Sequence, residues 1–187
     1  MPTTRKTEDS AKYQAAAQYE DIIEMLAAVD CDYSRLEELK DELTEACEDE
    51  SENLDFDQWV KDQSENENAV FNTAAIEYLE LTASAGDCES EDDARERIQE
   101  DPLSTEVRSD WTAPGEQLTA SEFMILLCTG GPAVRIVGEL SEHGEPERAW
   151  LEYQDWGTPW TRYFKADSDT LTQYASNFFF WRMKCAS

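Results

Sequence analysis

The first 100 residues of the chain carry 30 Asp and Glu against 8 Lys and Arg, a formal charge of −22. The remaining 87 carry 13 against 7, or −6. An ionised carboxylate resists burial unless it is paired, and here there are too few cations to pair them. The first part can therefore fold only with an acidic exterior and its apolar side chains gathered on narrow inner faces. Five of the six tryptophans lie in the second part. This shift in composition, with Pro102 just after an acidic helix-like run, sets a boundary: an acidic helical region over 1–102 and a second region over 103–187.

The first region has helical periodicity. Ala15, Tyr19, Ile22, Leu26 and Val29 recur at three- and four-residue steps and mark one apolar face. Asp30 to Ser34 makes a turn, and Ser34 with Glu37 fits a capping box. The next helix buries Leu36, Leu39, Leu43 and Ala46 or Cys47, so the two helices suggest an antiparallel hairpin. A short helix around Phe56, Trp59 and Val60 follows, then a longer one with Val70, Phe71, Ala74, Tyr78 and Leu81. Gly86 ends that helix, and Ser90 with Asp93 starts a last one running to Gln99.

The second region has the signals of strands. Val107 and Trp111 alternate, and Phe123 to Cys128 is a continuous apolar run. Thr129-Gly130-Gly131-Pro132 turns the chain into Ala133–Leu140. A Gly144 hairpin loop leads to a strand over Arg148–Trp156, and a short one runs from Trp160 to Phe164. A final helix carries Leu171, Tyr174, Phe178 and Trp181. The fold class expected is α+β: acidic N-terminal helices, then an antiparallel β-meander packed by a C-terminal helix.

The total charge of −28 and a pI near 4.1 exclude nucleic acid and anionic membrane as direct ligands, since both attract positive charge. The N-terminus has no apolar run behind Arg5 and Lys6, so a secretory signal is not expected. Cys31, Cys47, Cys88, Cys128 and Cys185 form no CxxC pair, which points to neither a disulfide scaffold nor a zinc site and suits a reducing cytoplasm. Asp30, Asp32, Ser34 and Asp41 fall near calcium-loop positions, but Arg35 stands where such a loop needs Gly. The one histidine, His143, lies in a polar loop. Thr129-Gly130-Gly131-Pro132 lacks the length and Lys of a phosphate loop. No metal, cofactor or catalytic residue is expected, and the chain does not read as an enzyme. A hydrolase with two carboxylates enclosed in a pocket is the remaining catalytic class.

The acidic helices hold the candidate site. Glu38, Glu42, Glu45 and Asp49 share one sector opposite the leucines and span about 16 Å of helix axis. DNA carries one charge per about 1.7 Å over both strands, so one such helix supplies less than half that density. Glu20, Asp21, Glu24 and the run Glu89 to Asp93 could add to it. Ordinary solvation would be served better by mixed charges, and halophilic adaptation would spread the excess evenly. The expected partner-binding residues are Glu38, Asp41, Glu42, Glu45, Asp49, Asp92 and Asp93. Trp150 and Trp156 are further candidates: with Glu152 and Gln154 they share one face of a strand whose other face carries Ala149, Leu151 and Tyr153. A single covering helix buries one face, leaving the other for the N-terminal helices, a second subunit in a homodimer, or a target.

The segment from Glu106 to Tyr163, above all ILLCTGGPAVRI at 125–136 and LEYQDWGTPWT at 151–161, resembles a segment of small uncharacterised phage and prophage proteins. It covers under a third of the chain and implies a mobile-element origin. In composition the acidic part is similar to phage DNA-mimic inhibitors of restriction enzymes and CRISPR effectors. Together these imply an anti-defence protein of the bacterial host cytoplasm, whose partner is a host nucleic-acid-binding protein or defence complex. The competing expectation is a non-catalytic interaction or assembly module that uses the aromatic sheet face.

Overall fold

A computed structural model describes residues 4–50, 54–116 and 118–180, with side chains from Ser10 onward. Trp181 and Cys185 lie outside the described residues. The chain is α+β: five helices, α1 (Thr4–Val29), α2 (Tyr33–Glu50), α3 (Phe56–Glu65), α4 (Asn72–Ala85) and α5 (Glu91–Glu100), precede an antiparallel sheet. Its strands are β1 (Ser104–Ser109), β2 (Ala120–Cys128), β3 (Ala133–Leu140), β4 (Pro146–Gln154) and β5 (Thr161–Arg162), followed by helix α6 (Ser168–Ala175). The change from helix to strand falls between Glu100 and Ser104, but the compact units divide elsewhere. Residues 27–94 form one, and residues 1–26 with 95–187 form the other.

The 27–94 unit is helical. Leu43 and Cys47 of α2, Trp59 and Val60 of α3 and Ala75 of α4 make its core, with Phe56, Phe71 and Tyr78 packed around it. The leucine face of α2 thus meets α4 and α3, later in the chain, where the sequence pointed to a hairpin with the preceding helix. Asp55 caps α3 by accepting from the Gln58 N–H at 2.9 Å. Asn72 closes its other end by donating to the Gln63 and Ser64 carbonyls at 3.0 and 2.9 Å. The cap of α2 is Asp32 rather than Ser34. Its carboxylate accepts from the Arg35 N–H at 3.0 Å, and the Leu36 N–H reaches the Asp32 carbonyl. Asp competes well for an N-cap, and taking the earlier residue adds Tyr33 and Ser34 to the helix. Val70 stands ahead of α4 and is exposed, not part of its inner face. Gly86, at φ 58°, ends α4 as expected.

The other unit is built on the sheet, a meander in the order β1-β2-β3-β4-β5. Alternation along the strands separates two faces. Phe123, Ile125, Leu127, Val134, Ile136, Ala149 and Leu151 are buried, and α6 packs over β4 on their side. Leu171, Tyr174 and Ala175 of α6 and Phe180 beyond it are inaccessible, and Phe180 stacks on Phe123 at 4.6 Å. Asp167 caps α6, accepting from the Thr170 N–H at 2.9 Å. The helix ends at Ala175, so Phe178 belongs to the segment after it and packs on Tyr174 from there. Trp111 lies beyond β1 and is fully exposed, because the strand ends at Ser109. Gly138 faces the core where a side chain has no room: a Cβ would stand 2.4 Å from the Phe123 ring and 2.2 Å from the Arg148 carbonyl.

Candidate functional site

The 27–94 unit holds 23 Asp and Glu against three Lys and Arg, a formal charge of −20 out of −28 for the whole chain. Helix α2 is the densest part. Its inward leucines fix its rotation, and Glu37, Glu38, Asp41, Glu42, Glu45, Glu48 and Asp49 are all exposed. At 100° per residue they occupy about 140° of the circumference over about 18 Å of axis. That is roughly one charge per 2.6 Å against DNA's 1.7 Å. Counting all seven brings the helix closer to duplex density than the four aligned carboxylates alone suggested.

The cations of this unit are Arg35, Lys40 and Lys61. Arg35 is engaged: its Nε and Nη2 donate to the two carboxylate oxygens of Glu77 on α4 at 3.0 and 2.9 Å, and its Nη1 lies 3.4 Å from Glu38. The hydrogen bond from Arg35 holds the Glu77 carboxyl below the usual range. Of the expected contact residues, Glu38 therefore has a cation beside it. Asp41, Glu42, Glu45 and Asp49 face outward on the same helix.

Asp92 and Asp93 are brought to the start of α5, both exposed. Asp93 also has a structural task at the N-terminus of α5, where Ser90 is the cap. The Asp93 carboxylate accepts from the Glu89 N–H at 3.0 Å and its own N–H donates to Ser90 Oγ at 3.1 Å. Cys88 and Ala94 pack with Ala28, Val29 and Tyr33, which seats this turn beside the start of α2. Burial pushes the Tyr33 hydroxyl up to about 12, with Cys88, Cys31, Asp93 and Glu91 adding to the effect. Glu20, Asp21 and Glu24 are exposed on α1 in the other unit.

The face of the sheet away from α6 is not a plain aromatic surface. The strand register sets Arg108 opposite Glu122, Arg135 opposite Glu152, Glu139 opposite Arg148 and Glu152 opposite Arg162. Arg108 is ion-paired to Glu122, and Arg148 lies 3.5 Å from Glu139. Arg135 donates twice to one Glu152 oxygen at 2.9 and 2.8 Å and lies 4.0 Å over the Trp160 ring. Trp150 donates to Glu152 at 3.2 Å, and Arg162 lies 5.6 Å over its ring. Arg108, Glu122, Met124, Arg135, Val137, Trp150 and Glu152 line a shallow groove of about 380 Å³ on this face. Trp156 does not share this strand face, because β4 ends at Gln154. Its indole sits in the following turn, donates to the Gly130 carbonyl at 2.8 Å, and lies where a Cβ on Gly131 would be. The alternation of Glu and Arg along these strands is visible in the sequence; the register that pairs them is not.

Among the described residues no group of three or more His, Cys, Asp or Glu is placed to hold a metal ion, and no helix is long and apolar enough to cross a membrane. Cys31, Cys47, Cys88 and Cys128 are free thiols, and His143 is exposed in its hairpin loop. No protein-family model matches the sequence, and comparison with curated proteins and with solved structures gives no match.

Proposed function

We propose that the chain is a phage-encoded anti-defence inhibitor that acts as a nucleic-acid mimic. Its 27–94 unit occupies a positively charged DNA- or RNA-binding site on a host CRISPR effector or restriction enzyme and blocks it sterically. The observation that carries this reading is the concentration of −20 in a compact unit of 68 residues. A groove that binds phosphates uses long-range attraction to gather its ligand, and an acidic helical body of similar charge spacing exploits the same steering. Asp41, Glu42, Glu45 and Asp49 make the main contact, with Asp92 beside them in role and Asp93 holding the α5 turn. The protein has no catalytic step in this account and works in the host cytoplasm.

The test is a pull-down from bacterial host lysate at low and high salt, with and without competing DNA. Recovery of a basic nucleoprotein complex, lost on adding DNA and weakened by salt, supports the mimic. Recovery that DNA and salt leave unchanged overturns it. The groove on the sheet favours a second reading, an interaction or assembly module. In that case Trp150→Ala removes binding while Glu42→Lys with Glu45→Lys does not.

A further inference from the structure

We propose that the outer face of α4 is an apolar anchor that seats a basic amphipathic helix of the partner protein. This rests on the mimic reading and adds to it the chemistry of the partner's surface. Helix α4 is apolar on both sides. Ala75 and Ala85 are buried and Ala74 and Tyr78 pack inward, yet Ile76 and Leu79 remain 41% and 39% exposed. Ala83 is exposed beside them, and Val70, just ahead of the helix, is 90% exposed. At 100° per residue, Ile76, Leu79 and Ala83 fall within about 60° of one another along about 10 Å of axis. An outward stripe of this kind on a unit with 23 carboxylates is not explained by solubility.

Charge decides what fits it. The only ionisable groups on α4 besides Tyr78 are Glu77 and Glu80. Glu77 is held by Arg35, while Glu80 is exposed about 40° round the helix from Ile76. A second copy would bring −20 against −20, so self-association through this face is opposed. A helix with apolar side chains at i, i+3 or i+4 and i+7, flanked by Lys and Arg, matches both the stripe and its acidic surroundings. In the complex, the carboxylates of α2 set the rate and orientation of encounter, and the α4 stripe sets residence.

The probe is a fluorescein-labelled 18-residue Leu/Lys peptide with its leucines on one helical face. The control is a peptide of identical composition with the leucines scattered. The full chain is expected to bind the striped peptide at least tenfold more tightly, to lose affinity for both with salt, and to lose the preference in Ile76→Ser/Leu79→Ser. Backbone amide shifts in the wild-type chain are expected at Ile76, Leu79 and Ala83, and this readout needs no variant to fold. Equal affinity for the two peptides, a preference that survives in a folded Ile76→Ser/Leu79→Ser chain, or shifts confined to other helices overturns the anchor. The broader reading is separated by Glu42→Lys/Glu45→Lys. If that variant loses both peptides while the α4 variant loses neither, only the anchor falls. If the charge variant binds both peptides as tightly as the wild type, the acidic-surface reading falls and takes the basic partner with it.

Discussion

Leu43→Ala should open the acidic unit to a thiol reagent while leaving the sheet closed. Leu43 is inaccessible and packs in one cluster with Cys47, Trp59, Val60 and Ala75. Truncating a buried leucine removes transfer free energy and leaves a cavity, at a cost of about 3 kcal/mol within a measured range of about 2–5. At about 1.4 kcal/mol per factor of ten, the opened fraction rises roughly 100-fold. Cys47 is 4% exposed, so its alkylation reports that opening when closing is faster than the reagent. Pulse labelling with iodoacetamide, read cysteine by cysteine in a mass spectrometer, gives the rate at Cys47 and at Cys128 on β2 in the same sample. The expected result is a rise of roughly 100-fold at Cys47 and little change at Cys128. A rise below tenfold at Cys47 would refute the core assignment. An equal rise at Cys128 would refute the claim that residues 27–94 open as a unit of their own.

Three further outcomes follow from the sheet unit. Gly138→Ala sets a methyl against the Phe123 ring and the Arg148 carbonyl, so thermal denaturation should show a loss of about 1–3 kcal/mol. Tyr174→Phe removes the hydroxyl that donates to Asp101 at 2.7 Å, and chemical denaturation should find about 1.5 kcal/mol less stability. The Asp167 carboxyl is held below the ordinary range, first by the Thr170 N–H. Its contribution is therefore present above the unfolded carboxyl value near 4 and lost as pH falls through the lower folded value. Denaturation of wild type and Asp167→Ala at pH 7 and pH 2 should show a gap that closes at the acid end; a constant gap would contradict the cap.

Periodicity alone located most elements, because local apolar spacing is a property of each segment. The strand limits Ala133–Leu140 and the stop at Gly86 are readable in this way. What the sequence hid was long-range. Nothing local says that Leu43 meets Trp59 and Ala75 rather than the helix before it. Nor does the sequence say that Arg35 will neutralise Glu77 on a helix 42 residues later. Asp32 and Ser34 are both plausible caps two residues apart, and backbone geometry chose the first. Trp156 follows the alternation of Trp150 but falls past the end of the strand, so its indole answers to the Gly130 turn instead. The acidic excess was legible in the first 100 residues; that −20 of it falls within one compact unit needed the fold, because that unit begins inside α1 and ends inside α5.

In the proposed inhibition the outward carboxylates of α2 replace phosphates in a partner's groove. The direct measurement uses the basic complex recovered from host lysate, loaded with fluorescent nucleic acid and titrated with purified chain at several salt concentrations. The wild type is expected to displace the nucleic acid completely, with an apparent affinity that falls steadily as salt rises, while Asp41→Lys/Glu42→Lys/Glu45→Lys displaces none. Complete displacement by the reversed chain, or a ternary complex in which chain and nucleic acid are bound together, would contradict it.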